Sequence, residues 1–249
     1  MQVYGRFAGI YDELMADIDR DEWARYLLSF VEKENALIAD VACGTGEFSV
    51  RFAKEGYRVI GSDISEDMLF IAAEKARSWA VNVPFICQDM RELALHRKVD
   101  VICAACDGVN YLQNDEDALA FFISAKRALK NGGMLLFDVS SEYKLANILA
   151  CNTFAEEEAD CAYIWHNMYD EESRLVKMEL TFFEKIHGKD EYERFSETHI
   201  QRAYTQDELS ELLQKAGFKD ISVYDAFTKD EPRTDSERLQ FVAFAGEEE

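Results

Sequence analysis

The chain has 249 residues, of which 48% are hydrophobic, and its formal net charge is −22. That length suits one large α/β domain with an insertion, and a field of this sign repels phosphate backbones, which disfavours a nucleic acid substrate. No apolar run reaches the roughly 20 residues needed to span a bilayer, and residues 1–6 lack the apolar core of a signal peptide. We therefore expect a cytoplasmic protein without a membrane partner.

The N-terminal residues predict a short aromatic segment followed by a helix. Residues 4–15 are rich in aromatic side chains, among them Tyr4 and Tyr11. From about Arg20 to Lys33 the apolar residues recur at helical spacing and form one buried stripe. Tyr4 and Tyr11 either cap a core or cover a ligand, and the residues alone leave both interpretations open.

The stretch from Leu37 to Gly46 predicts a strand, a glycine-rich turn and the start of a helix. Its apolar run is typical of a buried parallel strand. An acid, Asp40, comes next, and then Gly44 and Gly46 precede a helical pattern over residues 47–53. Glycines permit a close approach of backbone to ligand, and a helix N-terminus offers free N–H groups. The pattern is that of a nucleotide-binding βαβ unit.

A second strand, Arg58 to Asp63, also ends in an acid. In such a unit this acid accepts hydrogen bonds from ribose hydroxyl groups. Ser65 is a plausible N-cap for the helix that follows, and that helix carries Met68. The third glycine of a dinucleotide-binding fingerprint is absent after Gly46, so a nicotinamide-dependent oxidoreductase is disfavoured.

The segments 40–46 and 63–69 resemble motifs I and II of the class I S-adenosylmethionine-dependent methyltransferases, with Ala42 where a glycine is common. The resemblance is closest to bacterial small-molecule enzymes. It implies S-adenosylmethionine as the cofactor and S-adenosylhomocysteine as the product. It also implies that an aromatic N-terminal segment folds over the cofactor. The cofactor-binding residues expected on this basis are Tyr11, Asp40, Ala42, Cys43, Gly44, Gly46, Asp63, Ile64, Met68, Asp89 and Met90.

Two further strands end in polar residues. Residues 83–90 predict a third strand, and the resemblance assigns Asp89 and Met90 to the adenine. Residues 99–105 predict a fourth strand, followed by a loop that holds Asp107, Asn110 and Tyr111. Ligands of doubly wound sheets lie beyond the carboxyl ends of the strands. We therefore expect Asp107 and Asn110 to orient a nucleophile and Tyr111 to contact the substrate, although such residues also serve turns.

The remaining pattern predicts a Rossmann-like, doubly wound, seven-stranded sheet with an inserted antiparallel β lid. Helix and strand alternate up to residue 150 and again from 204 to 249, which together form the predicted cofactor-binding core, with residues 1–35 as a helical cover. Between them, residues 151–203 follow the period of two that is typical of antiparallel strands. The lid is expected to determine substrate choice, with a dimerisation sheet as the alternative.

Three side chains of the predicted lid are candidates for the acceptor site. His199 is a candidate general base, because its ordinary pKa lies near neutral pH. Arg202 is a candidate clamp for a carboxylate or phosphate, and Trp165 a candidate substrate contact, as is Tyr4 from the N-terminal segment. Each of them also has a purely structural interpretation.

The sequence thus predicts methyl transfer to a nitrogen or oxygen nucleophile of a small molecule by in-line displacement. Positioning and exclusion of water supply much of such a reaction, so no metal is required. A non-catalytic S-adenosylmethionine-binding protein and an RNA methyltransferase are the alternatives. We expect a monomer or a homodimer.

Overall fold

The computed structural model describes residues 8–15, 18–157, 160–186 and 188–246, which include two β-sheets. The larger sheet has seven strands in the order β10-β11-β5-β4-β1-β2-β3, with β11 antiparallel to both of its neighbours. Its strands are β1 (Leu37–Val41), β2 (Arg58–Asp63), β3 (Phe85–Cys87), β4 (Val99–Ala104), β5 (Leu129–Ser140), β10 (Phe218–Asp225) and β11 (Arg238–Ala245). The sheet confirms the predicted Rossmann-like fold.

Helices cover both faces of this sheet. The helices are α1 (Ala8–Leu14), α2 (Arg20–Leu28), α3 (Glu47–Lys54), α4 (Glu66–Ser78), α5 (Asp115–Ala128) and α6 (Gln206–Ala216). One core cluster joins α5 and α6 to the sheet, and a second joins α2, α3 and α4 to it. Strands β1 and β4 are buried along their whole length, as expected of strands between two helical layers.

Capping side chains define the starts of two helices. Ser65 accepts from the Met68 N–H and so caps α4, and Thr205 with Glu208 forms the capping box of α6. Residues 130–133 read Lys-Asn-Gly-Gly, a sequence typical of a turn, but they lie inside β5. A register shift against β4 accommodates them there.

The inserted residues form a separate antiparallel sheet. Its strands, in spatial order, are β6 (Thr153–Glu157), β7 (Cys161–Asp170), β8 (Leu175–Lys185) and β9 (Tyr192–Arg202). One face carries Phe182 of β8 and His199 of β9, which are both buried, whereas Ile164 and His166 of β7 lie on the exposed face. The confirmed insertion therefore has an inner face and an outer face.

The order of the strands positions the site. Strand β1 lies between β2 and β4, and the crossovers from it leave a crevice beyond the carboxyl ends of these strands. None of the helices described is long and apolar enough to cross a membrane.

Candidate active site

A cavity of about 550 Å³ lies at the carboxyl ends of β1, β2 and β4. This volume is in the range of small-molecule sites. The predicted cofactor residues that line it are Tyr11, Asp40, Ala42, Cys43, Gly44, Asp63, Ile64, Met68, Asp89 and Met90, and Tyr111 lines it as well. The motifs found in the sequence therefore converge on one hollow.

The turn after β1 presents backbone to the cavity. Gly44 has a φ of +51°, and a Cβ built on it would meet nothing within 4 Å. Since Gly44 lines the cavity, the space that its missing side chain leaves is open to a ligand. Ala42 also has a left-handed φ, of +53°, so the glycine that is common at this position relieves backbone strain as well as crowding.

Gly46 has a different role from the one predicted. It does not line the cavity; it precedes α3 with a φ of +74°, and a Cβ there would lie 2.8 Å from the Cβ of Ala72. The glycine is thus required for the close packing of the turn against α4. Gly46 thus has a packing role, and the lining of the cavity does not support the predicted cofactor contact.

Asp63 joins the two motifs. One carboxylate oxygen accepts from the Gly44 N–H at 2.8 Å, and the other accepts from the Ser65 N–H at 2.9 Å. Burial raises the pKa of Asp63 above its ordinary value, and these backbone donors oppose that rise. A carboxylate held in this way at the end of β2 suits a pair of ribose hydroxyl groups.

Asp40 is the most deeply buried acid of the cavity. It is 1% exposed, and its carboxylate accepts a hydrogen bond from the Ser49 hydroxyl of α3. Burial raises the pKa of Asp40 to about 7, and the nearby charge of Asp63 adds to the rise. Two carboxylates at one wall favour a cationic ligand.

The adenine side of the cavity combines an apolar surface with an ion pair. Ile64 is 66% exposed although it is apolar, and it lines the cavity beside Met68 and Met90. Asp89 is bound by the Arg91 guanidinium at 2.6 Å, which also reaches Asp117 at 2.7 Å. The Arg91 side chain holds the pKa of Asp89 below its ordinary value. Arg91 was not predicted, because no local motif distinguishes it.

Helix α1 lies over the cavity and is held there by polar side-chain contacts. Tyr11 and Met15 line the hollow. The Asp12 carboxylate accepts from the Thr45 hydroxyl at 2.7 Å and pairs with Lys75 at 2.6 Å. We name these three residues, Asp12, Thr45 and Lys75, the α1 latch. Sequence reasoning missed it because its members lie far apart in the chain. Tyr4, a predicted substrate contact, is outside the described residues.

Asn110 was predicted to orient the acceptor, but its side chain serves the backbone. Its amide donates to the carbonyls of Ser140, at 3.1 Å, and Arg202, at 2.9 Å, and its carbonyl accepts from the Ser140 N–H. The residue is fully buried and does not line the cavity. Asn110 therefore joins the loop after β4 to β5 and β9.

Asp107 is likewise held in a buried network, although we expected a role in orienting the nucleophile. It pairs with Arg238 at 2.8 Å and accepts from the Gln201 amide at 2.7 Å. Burial alone would raise its pKa, but the Arg238 charge holds the pKa of Asp107 below its ordinary value. Asp107 is paired and does not line the cavity, so in this structure it supports the loop.

Two predicted lid contacts also lie elsewhere. Arg202 pairs with Asp115 at 2.8 Å and lies over the Tyr204 ring, with 4.4 Å between the guanidinium carbon and the ring centroid. Trp165 packs against Phe154 in the core of the inserted sheet. Neither lines the cavity, and the contacts that the structure gives both residues are structural.

His199 is near the cavity but does not line it. It is 3% exposed, and its Nδ1 lies 3.0 Å from the hydroxyl of Tyr111. Tyr111 does line the cavity. The predicted substrate contact thus stands between the predicted base and the space in which an acceptor would bind.

The described residues fit a sulfonium nucleoside. Asp63 offers acceptors for ribose hydroxyls, Ile64 offers an exposed apolar surface for a base, and the turn at Gly44 leaves room for an amino-acid portion. Asp40 supplies a buried carboxyl group at the same wall. These features agree with the ligand that the sequence implies.

Comparisons with known proteins agree with this geometry. Residues 38–133 match a family model described as a methyltransferase domain. The YqeM protein of Bacillus subtilis is 39% identical over 97% of this chain and 96% of its own length. A crystal structure of an S-adenosylmethionine-dependent methyltransferase from Clostridium acetobutylicum is 29% identical, with a TM-score of 0.88 over 98% of this chain and 99% of that one.

The name of a more distant relative states its substrate. The dTDP-3-amino-3,4,6-trideoxy-alpha-D-glucopyranose N,N-dimethyltransferase of Streptomyces venezuelae is 26% identical over 75% of this chain and 76% of its own length.

Proposed function

Because the chain belongs to the class I S-adenosylmethionine-dependent methyltransferases, we propose that it methylates a nitrogen or oxygen nucleophile of a small molecule. S-adenosylmethionine supplies a methyl group that its sulfonium has already activated. The residues of the chain bind it, align the acceptor with it and exclude water.

The cover over the cavity is the observation that carries this proposal. Phe182, buried on the inner face of the inserted sheet, packs against Tyr11 and Leu14 of α1. Tyr11 also lines the cavity, so the inserted sheet packs against the helix that covers the cofactor site. A cavity of about 550 Å³ beneath such a helix suits a small-molecule acceptor.

An amine is the acceptor that we favour for the first test. The net charge of −22 attracts cations, and an amine carries a positive charge near neutral pH. The Streptomyces relative is named for dimethylation of an amino sugar, which gives a concrete probe of that chemistry.

The test is an assay for S-adenosylhomocysteine with the full-length chain. The probes are dTDP-3-amino-3,4,6-trideoxyglucose, a metabolite extract with amines and alcohols, and transfer RNA. The proposal expects S-adenosylhomocysteine in equal amount to a small product that is one methyl group heavier by mass spectrometry. Cofactor binding without any product would identify a binding protein instead, and methylated transfer RNA would identify an RNA enzyme.

A further inference from the structure

The loop after β4 brings to the cavity a tyrosine whose hydroxyl meets an imidazole. Tyr111 ends the short 3₁₀ helix Gly108–Tyr111 after β4 and lines the cavity. Its hydroxyl is 3.0 Å from Nδ1 of His199, and the two rings meet edge to face with centroids 5.9 Å apart. The contact joins the core to the inner face of the inserted sheet.

A carboxylate lies on the far side of the imidazole. Nε2 of His199 is 3.4 Å from the Glu197 carboxylate, whose side chain is 11% exposed. Residues two apart in a strand share a face, so β9 places both groups on its inner side. Phenol, imidazole and carboxylate therefore form a line that leads from the cavity into the lid.

We infer that Tyr111, His199 and Glu197 form a proton relay for the acceptor, an inference that rests on the proposed function. An amine that is protonated near neutral pH must lose a proton before its nitrogen has a lone pair to attack a methyl group. In the relay, the N–H bond of the acceptor breaks and its proton forms a new bond with the Tyr111 oxygen. The former phenolic proton passes to Nδ1 of His199, and the electron pair of the broken N–H bond stays on nitrogen.

Each member of the relay has a distinct part. Tyr111 is the catalytic residue, because it is the member that reaches the cavity. His199 is a positioning residue that acts through Tyr111 and receives the proton. Glu197 stabilises the imidazolium that results, as an opposite charge does at this range. This arrangement replaces the direct role as a base that the sequence suggested for His199.

A first experiment tests the relay in turnover, with dTDP-3-amino-3,4,6-trideoxyglucose or the acceptor found in the metabolite extract. Tyr111→Phe and His199→Asn should each lower kcat by about 100-fold near neutral pH, the low end of general acid–base effects. The affinity for S-adenosylhomocysteine should stay unchanged. The double variant should be no slower than either single variant, since both remove one path.

The pH profile separates this role from a structural one. Without the relay, only acceptor that is already neutral can react, so activity of both variants should recover as the pH approaches the pKa of the acceptor amine. The matched control is His166→Asn, because His166 is an exposed histidine of the same sheet whose Nδ1 also meets a hydroxyl, that of Thr153, at 2.8 Å. A loss that high pH does not restore, or a loss of the same size in the control, would overturn the relay.

A second experiment does not need the acceptor. The relay requires neutral His199 to carry its proton on Nε2, so that Nδ1 accepts from Tyr111. NMR of ¹⁵N-histidine-labelled protein saturated with S-adenosylhomocysteine should show this tautomer, and Tyr111→Phe should shift the Nδ1 resonance of His199 and leave that of His166 in place. A proton on Nδ1, or no shift, would overturn the relay even in an active enzyme. If no probe is methylated, the proposed function fails, and the tautomer still decides whether the relay exists.

Discussion

The Asp63 carboxylate accepts a hydrogen bond from the Gly44 N–H at 2.8 Å and so ties the end of β2 to the turn after β1. The same carboxylate also accepts from the Ser65 N–H at the start of α4. Asp63 therefore holds both cofactor motifs in position before any ligand binds. Because Asp63 also lines the cavity, the lone pairs of its carboxylate that remain are available to a ligand.

Replacing Asp63 should weaken cofactor binding. We expect Asp63→Ala to lower the affinity for S-adenosylhomocysteine by about tenfold or more, because a charge-assisted hydrogen bond to the ribose is lost. Isothermal titration measures the change, and Glu66→Ala, an exposed acid at the start of α4, is the matched control.

An analogue separates the ribose contact from support of the turn. Wild-type protein should bind S-adenosylhomocysteine more tightly than its 2′-deoxy analogue, and Asp63→Ala should have lost that preference. A variant that keeps the full preference would show that another residue binds the ribose.

Substitution of the two glycines of the turn, Gly44 and Gly46, should have different effects on stability and on cofactor affinity. Gly46→Ala combines a left-handed φ with a contact of 2.8 Å to Ala72 and should cost about 2–4 kcal/mol of unfolding free energy. Gly44→Ala meets open space in the protein, so it should cost only about 1 kcal/mol of strain but abolish most cofactor affinity.

Gly188→Ala is the control for strain alone. Gly188 has a φ of +77° with open space around it, in the hairpin between β8 and β9. Thermal unfolding and titration of the three variants give the comparison. Equal losses of cofactor affinity in Gly44→Ala and Gly188→Ala would refute the assignment of Gly44 to the cavity wall.

The sequence predicts the cofactor wall better than the acceptor wall, and the reason is geometric. Asp63 and Gly44 belong to local patterns in which chain order and spacing determine the position. Asn110 and Tyr111 are neighbours in one tight helical turn, yet the first is buried against backbone and the second lines the cavity. Spacing along the chain does not specify the phase of so short a turn.

The inserted sheet shows a second limit of prediction from the sequence. The period of two over residues 151–203 is enough to put His199 and Glu197 on one face of β9 and Arg202 on the other. It did not indicate what each face would contact, because that depends on tertiary packing. The Gly46 position shows the same limit, since its need for glycine comes from Ala72 of another helix.

The α1 latch should control how fast the cofactor leaves. Asp12→Asn weakens the pair with Lys75, so α1 should open more often and dissociation of S-adenosylhomocysteine should accelerate by roughly three- to tenfold. Stopped-flow displacement measures the rate. Glu22→Gln, an exposed acid in the first turn of α2, is the control, and equal rates in the two variants would exclude a latch.

Because of the buried acid Asp40, the free energy of unfolding should fall as the pH rises. Burial raises the pKa of Asp40 from an ordinary 3.8 to about 7 in the folded chain. Between about pH 4 and pH 7, Asp40 therefore binds a proton more often in the native state than in the unfolded state. Its stabilising contribution is therefore complete below about pH 4 and is lost as the pH rises through about 7.

Asp40→Asn removes this dependence. Near pH 8 the apo variant should be more stable than wild type, by up to about 4 kcal/mol for a shift of roughly three units, and the two should converge near pH 4. Thermal unfolding across this range checks the prediction, with Glu34→Gln, an exposed acid before β1, as the control. A constant difference between variant and wild type at all pH values would show that Asp40 stays ionised in the fold.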